Sequence, residues 1–106
     1  MIVRLWSART TKAQSKDYLR HFRDSVLPAL RKFEGYTSSS VFARPKDDEI
    51  EILVLTAWNS FPAIDAFAGP DREAAIVAPE AAAFLTNYDR RVRHFEVAFA
   101  DGFFPQ

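Results

Sequence analysis

The chain has 106 residues, 48% of them apolar and 14% aromatic, and its fourteen basic side chains balance fourteen acidic ones. Zero net charge gives no global field for nucleic acid or an anionic membrane, and the absence of cysteine excludes disulfides, thiolate metal sites and thiol nucleophiles. No apolar run approaches the roughly 20 residues of a membrane span and no basic-then-apolar export pattern is present, so a single cytoplasmic domain is expected over 1–99, followed by a tail at 100–106.

Residues 1–8 alternate as a short strand, with Val3 and Leu5 on one face and Arg4 and Trp6 on the other. Thr11-Lys12-Ala13-Gln14 has the form of a capping box. The helix predicted after it carries Leu19, Phe22, Val26, Leu30 and Phe33 at spacings of three and four, a single core-facing stripe. Pro28 removes a backbone donor, so a kink or a detached last turn is expected there. Gly35 is a natural stop. A strand with Ser38-Ser39-Ser40 follows over 36–44, and Pro45-Lys46-Asp47-Asp48 reads as a turn.

The strand predicted at 49–59 is the most informative. Beyond one charged position, Ile52-Leu53-Val54-Leu55-Thr56-Ala57-Trp58 is apolar on both alternating faces, and such a strand must be covered on both sides. In so short a chain helices cover one of them. The other needs a second copy of the protein, an apolar ligand, or both.

A helical block follows over 60–88. Ser60 is a cap with Pro62 in the tolerant first turn, and Phe61, Ile64 and Phe67 point toward the core. Gly69-Pro70 breaks this helix, Asp71 restarts a short one, and Pro79 opens a third piece. The last strand, 90–99, puts Phe95, Val97 and Phe99 on one face and Val92, His94 and Glu96 on the other. The order β-α-β-β-α-β is the α+β ferredoxin-like arrangement, an antiparallel sheet with helices on one face.

These residues resemble a known family. Ile2-Val3-Arg4-Leu5-Trp6, Val26-Leu27-Pro28, Trp58-Asn59-Ser60, Ala66-Phe67-Ala68-Gly69, Ala74-Ala75, Pro79-Glu80-Ala81 and Arg93-His94-Phe95-Glu96-Val97 are similar, in order and spacing, to the antibiotic biosynthesis monooxygenase-like proteins. The resemblance implies a homodimer joined through its sheets into an α/β barrel, with a cavity in each subunit between helices and sheet. It also implies a cofactor-independent monooxygenase that oxidises aromatic, quinol-like molecules, polycyclic phenols among them. Such chemistry needs a base, a cation beside the developing oxyanion, and a dry aromatic enclosure. The haem-degrading branch would require an axial His within 71–77, where there is none, and a pocket Trp where Phe67 stands. Haem degradation is therefore not expected, nor is any other cofactor or metal.

The catalytic candidates are His94, which titrates near cytoplasmic pH, and Arg4, which pairs with a phenolate. For His94 the competing reading is a hydrogen bond to structure at the strand edge or subunit junction. For Arg4 and Trp6 it is an inter-subunit salt bridge to Glu96 with Trp6 as interface core. Trp6, Trp58, Tyr36 and Phe67 are the substrate-binding candidates, Trp58 also reading as an anchor of the strand-to-helix turn. Tyr18 and Tyr88 are further hydroxyl donors. Asp17, His21 and Asp24 share one helix face at metal-like spacing, but that face lies opposite the apolar stripe and reads as solvated, with helix ion pairs. The Arg90-Arg91-Val92-Arg93 cluster points to both faces of its strand and forms no phosphate-binding stripe. Three functions remain at this point: the monooxygenase, a non-catalytic or isomerase-like small-molecule-binding dimer, and a structural dimer with a filled interior. The tail, with Phe103-Phe104, is expected to lie across the partner subunit.

Overall fold

The computed structural model describes residues 1–102. Its elements are β1 (Ile2–Thr11), α1 (Ser15–His21), a π-helical turn (Phe22–Val26), α2 (Leu27–Leu30), β2 (Tyr36–Lys46), β3 (Glu49–Trp58), α3 (Phe61–Ala68), α4 (Pro79–Ala82), β4 (Asn87–Tyr88) and β5 (Arg93–Glu96). The antiparallel sheet runs β2-β3-β1, and β1 is completed on its other side by β4 near Ala8 and by β5 along Ile2 to Leu5. This is the ferredoxin-like α+β arrangement with β1 at its centre. The tail prediction rested on Phe103 and Phe104, which lie outside the described residues.

The register divides the sheet residues between two faces. Arg4, Trp6, Ala8 and Thr10 stand beside Thr56, Val54, Ile52 and Ile50. This face packs against the helices, where Ile52, Val54, Trp58, Tyr18, Phe22, Leu30, Ile64 and Ala81 form one core. Val3, Leu5, Leu53, Leu55 and Phe95 fall on the opposite face, which no helix among the described residues covers. Phe95 there is half exposed. The doubly apolar strand thus has cover on one side only.

Several local expectations changed in tertiary context. Thr11 Oγ1 accepts from the Gln14 amide at 3.0 Å, yet the helix begins only at Ser15 with Gln14 at its cap, so Thr11 closes a turn ahead of the helix. Leu19, predicted in the buried stripe, is 38% exposed, whereas Tyr18 is buried. The wide π turn keeps positions 18, 22, 26 and 30 on one side, and that turn lies just before Pro28, which can make no bond to the carbonyl four residues earlier. β2 runs on through Pro45 to Lys46, because an edge strand tolerates a missing donor. The hairpin loop is only Asp47-Asp48, with Asp47 at φ 56°.

Ser60 caps α3 as expected, its hydroxyl accepting from the Ala63 amide. Asp71 starts no helix. Its carboxylate accepts from the Glu73 amide, and the chain then lies extended against 90–92, with Ala75 donating to the Arg90 carbonyl and Glu73 accepting from the Val92 amide. That pairing takes 90–92 out of the predicted last strand, which also stops short of 97–99, so β5 has four residues.

Gly35 joins the two layers. It has φ +89°, and a Cβ placed on it would stand 2.6 Å from the Ala63 Cβ. Gly35→Ala combines backbone strain with overpacking, and it is expected to cost about 2–4 kcal/mol. Urea unfolding checks this. A midpoint equal to wild type would contradict it.

Candidate functional site

Between the helices and the inner sheet face lies a cavity of about 90 Å3. Its sheet wall carries Arg4, Trp6, Val54 and Thr56, its helix wall Tyr18, Phe22, Val26 and Leu30. Phe67 of α3 contributes to the lining, and residues 76–78 and Ala81 close the far side, with Ile76 half exposed. An apolar cavity of about 150 Å3 is enough to take benzene. The present space is smaller than that, so one ring needs the side beside the half-exposed Ile76 to yield, and the polycyclic phenols implied by the family resemblance exceed it by far more.

Arg4 is the one ionisable cation of the lining. It is only 5% exposed, and burial lowers its pKa to about 10. β1 places it at the centre of the sheet, opposite Thr56 on one side and His94 on the other. Its Nη1 donates to the Arg72 carbonyl at 2.6 Å and meets His94 Nε2 at 3.0 Å, and its Nη2 donates to the Ala74 carbonyl at 2.7 Å. The Phe67 ring lies 5.5 Å from the guanidinium carbon. Among the described residues no carboxylate pairs with Arg4. A guanidinium has five N–H donors, and three are spent here.

The acceptors for Arg4 are held firmly. Arg72 binds Asp65 of α3 through both carboxylate oxygens, at 2.7 and 2.9 Å, and its guanidinium stacks 4.2 Å over Phe61. This hydrogen-bonded pair holds the Asp65 carboxyl below its usual range. Arg91 reaches Asp71 and Glu73 at the surface. The segment after Gly69 is thereby fastened to α3 and to residues 90–92 while its carbonyls face Arg4.

The sequence candidates fall into two groups. Arg4, Trp6 and Phe67 line the cavity; His94, Trp58 and Tyr36 do not. Since Arg4 can only donate, the contact with His94 uses the Nε2 lone pair of a neutral imidazole, which places the ring proton on Nδ1. Partial burial, then the charges of Arg4 and Arg72, lower the His94 pKa. Trp58 is fully buried, its Nε1 donating to Thr56 Oγ1 at 2.9 Å. Its ring packs against Tyr36 and Phe67 at 5.5 Å each. The Tyr36 hydroxyl is bonded to Ser39. Arg4 donates to backbone carbonyls beneath the helices, and Trp6 Nε1 donates to the Asp89 carbonyl at 2.7 Å.

Sequence reasoning gave Tyr18 little weight and missed Thr56. The 18-22-26-30 spacing and the alternation of Thr56 with Val54 and Trp58 were the available signals. Asp17, His21 and Asp24 do not converge. Asp17 pairs with Arg20 and Asp24 with Arg23. The His21 ring, expected in water, packs 6.0 Å from Phe84 with its Nε2 buried.

His94 also makes folding pH-dependent. Its folded pKa lies below the ordinary value of 6.5, so the unfolded chain binds the proton more readily. Stability from neutral His94 is complete above about pH 6.5 and is lost as pH falls through the depressed value. The carboxylates that Arg residues hold low act in the same sense, but only in more acidic solution. Urea midpoints measured between pH 5 and 7.5 should fall toward acid in the wild type and flatten in His94→Gln. An unchanged slope in the variant would contradict this.

The sequence matches no protein-family model and no curated protein. Among solved structures it matches a protein of Bacillus cereus provisionally assigned as an antibiotic biosynthesis monooxygenase, with a TM-score of 0.67 over 99% of this chain and 98% of the other, at 17% identity. The chain has the antibiotic biosynthesis monooxygenase-like fold. An identity of 17% establishes the shared backbone arrangement; the side chains of the site come from the present structure. No helix among the described residues is long and apolar enough to cross a membrane.

Proposed function

We propose that the protein is a cofactor-independent monooxygenase that takes a single-ring aromatic, phenol- or quinol-like molecule into the cavity as its anion and works as a homodimer joined through the open sheet face. One observation carries the reading: a buried cation without a carboxylate partner, set in an otherwise apolar cavity. An uncompensated buried charge is costly, and an anionic ligand removes that cost. Arg4 beside a bound phenol lowers its pKa and stabilises the phenolate. The phenolate ring then supplies the electrons for dioxygen: phenol plus O2 gives a quinone and water, one oxygen atom entering the ring and the other leaving as water. The proton lost when the phenol ionises is regained when the departing oxygen leaves as water, so none is released overall. His94, whose lone pair faces Arg4, positions the guanidinium and does not act as the base in this reading.

The dimer is supported by the apolar sheet face carrying Leu5, Leu53, Leu55 and Phe95. Joining two such faces buries on the order of 2,000 Å2 or more, the range of obligate homodimers. Sedimentation at low micromolar concentration tests it, and a well-folded single subunit would remove it.

A second reading, a non-catalytic or isomerase-like small-molecule-binding dimer, is favoured by one feature of the same cavity. Among the described lining residues there is no carboxylate or imidazole to act as a base. The cavity weighs against the filled-interior reading. Oxygen uptake with a panel of single-ring phenols separates the two that remain. Uptake that falls at least about tenfold in Arg4→Met supports the oxygenase. Tight binding with no uptake across the panel overturns it in favour of the binder.

A further inference from the structure

We infer that the cavity grips its ligand at two points, an ionised oxygen at Arg4 and a second, neutral acceptor oxygen at the hydroxyl of Tyr18, which selects single aromatic rings carrying both. This rests on the reading of the cavity as a small-molecule site and adds the ligand's chemical class and the residue that specifies it.

The polar groups of the lining differ in what they have left to give. Trp6 Nε1 already donates to Asp89, whereas Thr56 Oγ1 accepts from Trp58 and keeps its own O–H to give. Arg4 retains two of its five donors. Tyr18 is 3% exposed, yet among the described residues its hydroxyl has no hydrogen-bond partner, and that oxygen is not among the fully enclosed orphan atoms. Tyr18 itself lines the cavity. A buried hydroxyl left unpaired is costly, and a ligand acceptor removes that cost. Burial pushes the Tyr18 phenol up, so at neutral pH it donates and does not take a proton from the ligand. Its unspent O–H donor matches a carbonyl or ether oxygen of a ligand.

The two groups come from opposite walls, Arg4 from β1 in the sheet and Tyr18 from α1 in the helix layer. Phe22, Val26, Leu30 and Val54 supply apolar surface around them. A flat ring held between the walls presents one oxygen to each. A site built to hydrogen-bond a substrate oxygen rejects analogues lacking it, because its own donor is then left unpaired.

The test uses three carboxylates that differ only at the para position: benzoate, 4-methylbenzoate and 4-formylbenzoate, titrated at pH 7 by calorimetry. Each places an ionised oxygen at Arg4, and only the formyl compound adds a neutral acceptor. Wild-type protein should bind 4-formylbenzoate about three- to tenfold tighter than 4-methylbenzoate, the worth of one uncharged hydrogen bond. In Tyr18→Phe that ratio should fall to about one, while Arg4→Met should weaken all three at least about tenfold. A ratio that survives in Tyr18→Phe, or equal wild-type affinities, overturns the two-point inference and leaves the cavity reading standing. Failure of wild type to bind any of the three overturns both. Should Tyr18→Phe not fold, the wild-type comparison of formyl with methyl still decides.

Discussion

Arg4→Met is expected to abolish tight binding of anionic ligands while leaving a protein that folds. Truncating a hydrogen bond to a charged group costs roughly 1.5–3 kcal/mol, so affinity should drop at least about tenfold. Two opposed effects set the stability. Removing a guanidinium that is 5% exposed relieves the cost of burying a charge. It also strands the Arg72 and Ala74 carbonyls and His94 Nε2, which now accept from it. An unpaired buried acceptor costs about 1–3 kcal/mol, so the net change is expected to be a loss of about 1–3 kcal/mol. Arg4→Lys keeps the charge but lacks the planar fork that reaches two carbonyls and a ligand together. It should recover part of the affinity and little of the stability. Ligand titration followed by quenching of Trp6, which lines the same cavity, reads the first effect, and urea unfolding reads the second. Unaltered affinity in Arg4→Met would falsify the anion site.

Trp58→Ala is expected to be the most destabilising single change considered, at about 3–5 kcal/mol. The side chain is fully buried and sits at the end of β3, where sheet and helix layers meet. It touches Phe33, Tyr36 and Phe67, and its indole N–H satisfies the Thr56 hydroxyl. Its removal leaves a cavity that rigid neighbours on two layers cannot refill. Against the roughly 5–15 kcal/mol typical of a domain, that is a large share. The denaturant midpoint should shift with the slope unchanged. Ligand affinity extrapolated to the folded fraction should change less, because Trp58 is outside the lining while Phe67, which it supports, is inside. A midpoint within about 1 kcal/mol of wild type would show that the ring does not anchor this corner.

What could be read in advance followed the range of the interactions concerned. β1 and β3, the faces of Arg4, Leu5 and Leu53, the Ser60 cap and the division at Pro28 are local matters of alternation and missing donors. The pairing of the first and last strands also followed from the β-α-β-β-α-β order, whereas the register that sets Arg4 opposite His94 did not. Tyr18 was underrated because a π turn shifted the helix by a residue relative to a regular 3.6-residue period, which exposes Leu19 instead. The helix expected at Asp71 gave way because Glu73 and Ala75 found backbone partners in Val92 and Arg90, fifteen or more positions distant in sequence. Those partners also shortened the last strand.

By itself the amino-acid order determined a sheet with too few helices to hide both its sides, because a period of two with apolar residues at every position states the need for cover wherever the strand is placed. It also singled out the arginine of the first strand as chemically important. Only the tertiary structure decided that this arginine faces the helices, that the imidazole beside it gives its lone pair to the guanidinium, and that a tyrosine in the same cavity lining keeps its hydroxyl unspent. Each of those outcomes depends on which distant carbonyl, ring or void a side chain meets, and chain spacing does not encode that meeting.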